Sequence, residues 1–230
     1  MYKEKSKSLK LYARIAGLSY IVTMILGIGS VNFIESNLII EGDNNATVNN
    51  IVSNEFLFRI GIAGEILMYL LVILLAFSLY TVLKTVDKNL AFLALLWRVG
   101  EAVIGTATVV LSGLIPILLL KTGPVFEPEE FQTLVKLFLD IRSSGLDIVL
   151  IFIGAGGSIF CYLFYKSRYI PRVLAAWGIL TYLVMFILSF FSILIPISES
   201  VKLAFYAPGG LFEIVLGFWL LIKAIKLQES

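Results

Sequence analysis

The chain of 230 residues contains no histidine, a single cysteine (Cys161) and only six prolines. Without histidine it cannot hold a Ser/His protease centre, an H-E-x-x-H zinc site or an imidazole proton shuttle. With one cysteine, no disulfide framework can form within the chain. Charge is scarce too: Asp, Glu, Lys and Arg make up 15% of residues, against about 25% in a soluble domain. What fills the chain instead is apolar, with 59% of residues from the set AVILMFWYC and a mean hydropathy of +0.96. That balance excludes a soluble globular domain, a disordered chain and a secreted disulfide scaffold. It points to a multi-span membrane protein.

The apolar runs read as six transmembrane helices over 12–34, 54–83, 90–120, 143–165, 173–195 and 206–226. A helix crosses the hydrocarbon with about 20 apolar residues, so six spans take roughly 120 and leave short connections. The runs are too long and too little alternated for a β-barrel. The expected fold class is therefore all-α, one six-span bundle over 1–230. Polar breaks separate the runs at Lys84 to Asn89, at Lys166 to Arg168 and at Pro171-Arg172; Pro171 suits a helix start. Pro196 closes the fifth run, and Pro208-Gly209-Gly210 sits near the start of the sixth. The basic N-terminal stretch reads as a retained span rather than a cleaved signal peptide, since no A-x-A-like site follows it.

Orientation follows from the basic residues in short flanks. Lys3, Lys5, Lys7, Lys10, Arg14, Lys84, Lys88, Lys166, Arg168, Arg172, Lys223 and Lys226 fall on one side, twelve of eighteen. Both termini are expected in the cytoplasm of a bacterial cell, with the bundle in its plasma membrane. On the outer side, residues 35–53 are polar, with Glu35, Glu41 and a helical turn from Ala46 to Ile51. Glu127-Pro128-Glu129-Glu130 reads as a helix start, with acids near the positive end of the dipole. That helix is expected to run through Phe131, Leu134, Leu137 and Phe138 along the outer surface before becoming the fourth span.

The two halves of the chain look alike in order. Arg59-Ile60, Ala63, Ile66-Leu67, Tyr69-Leu70, Leu75 and Phe77 recur 113 positions on as Arg172-Val173, Ala176, Ile179-Leu180, Tyr182-Leu183, Leu188 and Phe190. Glu101 to Gly105 resembles Glu213 to Gly217 at an offset of 112. Ile21-Val22 with Gly27 and Gly29 resembles Ile148-Val149 with Gly154 and Gly156. Three spans per half would make the second copy enter the membrane inverted, the 3+3 arrangement of many transporters.

Charges deep in a span cost about 2.5–3.5 kcal/mol each on insertion scales, so they should face the protein and find partners. Glu65, Arg98, Glu101, Asp147 and Glu213 are deep; Arg59 and the Asp140/Arg142 pair lie nearer the outer boundary. Arg98, Glu101, Gly105, Thr108 and Ser112 form one small and polar stripe on the third span. Such a stripe either lines a wet path or lets Arg98 and Glu101 neutralise each other beside a neighbouring helix. Asp140, Asp147, Gly154 and Cys161 share a face of the fourth span. Glu55 can pair with Arg59 four residues on. A central cluster of Glu65, Glu101, Asp147 and Glu213, partly balanced by Arg98 and Arg59, holds more acid than base. It would therefore retain protons or a cation; whether a metal binds there is open. Cys161 reads as a small packed hydrophobe.

No G-K-[ST] phosphate loop, G-x-S-x-G elbow or G-x-G-D motif is present. An enzyme would have to work with carboxylates alone, which leaves the enzyme question open and favours a non-enzymatic role. No cofactor is expected, and the bilayer is the one partner implied, with no nucleic acid.

Arg14-Ile15-Ala16-Gly17-Leu18, Gly42-Asp43 with Ala46-Thr47 and Asn50-Ile51, Phe58-Arg59-Ile60-Gly61, Pro171-Arg172-Val173-Leu174, and Glu213 with Trp219-Leu220-Leu221 carry a family resemblance. The chain resembles, over nearly its whole length, a bacterial multi-pass membrane family known as a domain of unknown function, family 4386. The resemblance implies six spans and supplies no activity. The functional expectation is a small transporter or permease-like protein using the carboxylate cluster. The alternative is a non-transporting sensor, partner-binding or scaffold protein whose charges are structural ion pairs.

Overall fold

A computed structural model describes residues 2–30, 36–40, 42–121 and 128–226; Glu35, Glu41 and Glu127 lie outside them. Among the described residues the regular structure is helical: α1 (Tyr2–Ser30), α2 (Ser36–Leu38), α3 (Asn44–Ser53), α4 (Glu55–Leu83), α5 (Lys88–Val109), α6 (Ile115–Lys121), α7 (Pro128–Ser167), α8 (Arg172–Leu194) and α9 (Glu199–Lys223). A π-helical turn over Val110–Leu114 joins α5 to α6, so the two run on as one rod. Six segments are long and apolar enough to cross a membrane: Ser6–Ser30, Glu55–Leu83, Lys88–Leu119, Thr133–Ser167, Arg172–Leu194 and Ser200–Lys223.

Local chemistry sets the breaks. The Asp87 carboxylate accepts from the Asn89 and Leu90 backbone N–H groups at 3.1 Å each, capping α5 and ending the α4–α5 turn. Asp43 caps α3 in the same way, accepting from Ala46 N at 2.9 Å. At the next turn Pro171 holds an extended backbone that opens α8. Pro128 starts α7, whose 40 residues span about 60 Å at 1.5 Å per residue. That is about twice the hydrocarbon thickness, so α7 reaches well beyond it.

The last helix differs from the sequence expectation. It begins earlier, at Glu199, and Pro208 lies inside it. Proline there removes one backbone donor, a loss that spanning helices tolerate where neighbours pack around the freed carbonyl.

Consecutive spans pack side by side, α1 on α4, α4 on α5, α5 on α7, α7 on α8 and α8 on α9, and α9 returns to α1. The six form a closed ring, with α4 also touching α7 across it. One end of the ring carries the start of α1, the α4–α5 and α7–α8 turns and the end of α9. There Lys226 N donates to Tyr169 O at 3.0 Å, tying the last helix to the α7–α8 turn. α2 and α3 lie at the far end.

α1 approaches α9 closely. A Cβ on Gly17 would stand 2.5 Å from the Leu221 backbone nitrogen, so only glycine fits. Without a hydrophobic drive between helices in lipid, such small-residue contacts supply the packing. Large apolar side chains such as Ile25, Leu70, Phe92, Leu180 and Ile222 are exposed around the outside.

The interior divides in two. One apolar core gathers Ala13, Leu75, Leu79, Ala91, Ala94, Phe160, Phe164 and Leu216. The other gathers Leu38, Ile51, Phe58, Ile62, Ala102, Val109 and Ile117. Along α5, Arg98 and Glu101 fall between Ala94 of the first and Ala102 of the second.

Candidate functional site: a polar belt between two apolar cores

Arg98 and Glu101 are 4% and 2% exposed, and Arg98 Nη1 stands 2.9 Å from Glu101 Oε2. The two charges touch, but the contact lacks the alignment of a hydrogen bond, and these two buried atoms have no hydrogen-bond partner. Both side chains leave the same helix one turn apart.

Other helices complete the belt. From α8, the Tyr182 hydroxyl donates to Glu213 Oε1 on α9 at 2.7 Å. From α1, the Tyr20 hydroxyl stands 3.4 Å from that of Tyr182. Arg98 is within electrostatic reach of Glu101, Glu213, Tyr182 and Tyr20, and Cys161 of α7 lies within reach of Glu213. Tyr69 of α4 is within reach of Glu101 and Glu65. Tyr20 and Tyr182 are buried, while Glu213 is half-buried.

Glycine makes room for the tyrosines. A Cβ at Gly157 would lie 2.6 Å from the Tyr182 ring, and one at Gly105 would lie 2.1 Å from the Tyr69 ring.

The chain belongs to the family described as "Domain of unknown function (DUF4386)". Its match runs over residues 15–224. An "Uncharacterized protein" of Archaeoglobus fulgidus is 29% identical over 174 residues, covering 73% of this chain and 86% of that protein. No solved structure matches the chain. With six long apolar helices and a family match over most of its length, this DUF4386 member is a multi-pass membrane protein.

The remaining charges of the family member separate into pairs. Glu65 receives the Ser30 hydroxyl and both terminal nitrogens of Arg142, with Nη1 at 3.2 Å from Oε2. This pair is the bridge from α4 across to α7. Asp147 accepts from Lys202 Nζ at 2.9 Å, linking α7 to α9. Arg59 pairs with Glu55 at 2.6 Å at the boundary, where both side chains are 38% exposed. Asp140 is exposed. The Thr108 hydroxyl is taken by its own helix, donating to Ile104 O at 3.0 Å.

The single acid-rich cluster expected from the sequence is thus several sites. Glu65 and Asp147 each have a dedicated cation, and only Glu101 and Glu213 share Arg98.

Sequence reasoning missed Tyr20, Ser30 and Lys202 altogether. Lys202 reads as a connection residue until α9 is extended back to Glu199. Tyr69 and Tyr182 did leave a signal, since they occupy the same place in the two matching halves. Cys161 is 1% exposed, and a Cβ at Gly178 would lie 2.5 Å from its sulfur; it packs as a small apolar residue.

At the far end a cavity of about 30 Å³ is lined by Ile39, Ile51, Phe58, Ser112, Phe138 and Arg142, among others. Apart from Ser112 and Arg142 the lining is apolar. Its lining joins α3 and the π-helical turn to the Arg142 head, one residue contact away from Glu65. Among the described residues, no three acid or cysteine side chains stand close enough to hold a metal ion.

Proposed function

We propose that this protein is a small transporter or permease-like protein of a bacterial plasma membrane, with both termini cytoplasmic and no enzymatic activity. Its working site is the belt of Arg98, Glu101 and Glu213. The observation that carries this reading is the buried Arg98–Glu101 contact, whose facing atoms have no hydrogen-bond partner. A purely structural lock would be expected to add hydrogen bonds to that ionic contact, because a buried polar atom left without one costs about 1–3 kcal/mol. Intramembrane charges held at such a cost mark ion or substrate pathways.

Two further features support it. The ring packs in matching steps, α1–α4 with α7–α8, α4–α5 with α8–α9, and α5–α7 with α9–α1. That order is compatible with an inverted 3+3 repeat. Tyr69 and Tyr182, matched between the halves, each reach from the second helix of their half toward the acid of the third.

A second reading, in which the charges are structural, is favoured by Glu65. Its carboxylate is fully engaged by Arg142 and Ser30. We assign the lock to that pair and the pathway to the belt.

Native Cys161 provides the test, because it lies in the belt and is buried. In sealed vesicles its labelling by water-soluble, membrane-impermeant thiol reagents, applied from each side in turn, is expected to be slow but measurable. Glu101→Gln and Glu213→Gln should change that rate while leaving thermal stability unchanged or raised. A thiol sealed from both sides, with both variants collapsing in detergent, would remove the transport reading and leave the lock.

A further inference from the structure

The belt takes one chain segment from each of the six spans, so its charges can be counted from every side. Facing Glu101 and Glu213 are Tyr20 from α1, Tyr69 from α4, Arg98 from α5, Cys161 from α7 and Tyr182 from α8. Four of these are neutral phenols or a thiol, and among the described residues the one cation acting on both acids is Arg98. Two carboxylates therefore share a single guanidinium, and the set as written carries one uncompensated negative charge between two apolar cores. Arg142 and Lys202 are engaged by Glu65 and Asp147. A second, independent observation is that Arg98 Nη1 and Glu101 Oε2, on residues 4% and 2% exposed, meet as ions at 2.9 Å yet have no hydrogen-bond partner.

We propose that the belt holds one exchangeable proton, resting on Glu213, and that the proton is the ion this protein couples to; the proposal rests on the transport reading above. Glu101 is in direct contact with Arg98 at 2.9 Å, whereas the hydrogen bond to Glu213 Oε1 comes from the neutral Tyr182 hydroxyl. Of the two acids Glu213 has the weaker compensation, because its hydrogen bond comes from a neutral hydroxyl and not from Arg98. A proton arriving from water converts its carboxylate to a carboxylic acid and brings the belt to neutrality. A hard metal cation would need about six or more oxygen ligands, and the Tyr182 oxygen already directs its hydrogen at Glu213.

Charge balance makes the test sharper than a search for one titrating residue. Infrared spectra of the purified protein in detergent at neutral pH should show the carbonyl stretch of one protonated carboxyl. Glu213→Gln loses it. Glu101→Gln loses it as well, because Arg98 is then free to balance Glu213, which ionises. Thermal unfolding measured in sodium, potassium and N-methylglucamine chloride should give the same midpoint.

Loss of the band in Glu213→Gln alone would overturn the shared-charge argument, as would a band unchanged in both variants or absent from the wild type. A midpoint raised by sodium or potassium alone would assign the site to a metal cation. The measurement needs no transport: a bound proton beside a Cys161 thiol sealed from water would leave the proton in place and remove only the coupling.

Discussion

Replacing Arg142 by leucine tests whether burial, rather than ion-pair geometry, sets what a charge pair contributes here. Two pairs make the comparison. Arg59 and Glu55 meet at 2.6 Å with both side chains 38% exposed. Arg142 and Glu65 also meet within hydrogen-bonding distance, but their side chains are 21% and 7% exposed. Removing one partner of a buried pair typically costs about 3–5 kcal/mol, because the other charge stays buried. Arg142 keeps about a fifth of its side chain exposed and Ser30 still donates to Glu65, so the expected loss is about 2–4 kcal/mol. Arg59→Leu, at an exposed pair, should lose no more than about 1 kcal/mol. Adding Glu65→Gln to Arg142→Leu should recover about half of the loss or more, a coupling of about 1–3 kcal/mol in the double-mutant cycle. Equilibrium unfolding in mixed micelles reads the wild type and the four variants, Glu65→Gln alone included. If Arg142→Leu proves no more damaging than Arg59→Leu, or if Glu65→Gln fails to rescue it, the argument from burial is wrong.

Gly157→Ala and Gly105→Ala should each destabilise by about 1–3 kcal/mol, the usual range for overpacking, since the added methyl meets a tyrosine ring. Gly64→Ala has nothing within 4 Å of the new methyl and should be neutral or stabilising by up to about 1 kcal/mol; thermal unfolding in detergent separates the two groups. Asp87→Ala removes the α5 cap and should cost about 1 kcal/mol. Asp87→Asn should restore most of that in the same assay, and no recovery would mean that the cap hydrogen bonds do not hold the turn.

The sequence read the helices well because hydropathy is a local property. Lys84 to Asn89 breaks α4 from α5, and Asp87, within that break, proves to be the cap. It read α9 less well: Pro208 looks like a boundary, yet α9 runs through it from Glu199, because packing in the ring overrides a local signal. It listed the deep acids as one cluster, whereas Glu65 and Asp147 pair with Arg142 and Lys202. Glu65 and Asp147 join Glu101 and Glu213 on a list of buried acids, and nothing in that list separates those with their own cation from those without.

Membrane residence, six spans and the cost of each buried charge follow from the sequence alone, since each depends on residues near one another in the chain. Partnership does not. Glu65 meets Arg142 across 77 positions, Asp147 meets Lys202 across 55, and Tyr20 meets Tyr182 across 162. Those meetings depend on how far each helix is rotated and which neighbours the ring gives it. The close approach of α1 to α9 at Gly17, which closes the ring, is a fact of tertiary packing. Only that closure leaves two acids facing one arginine.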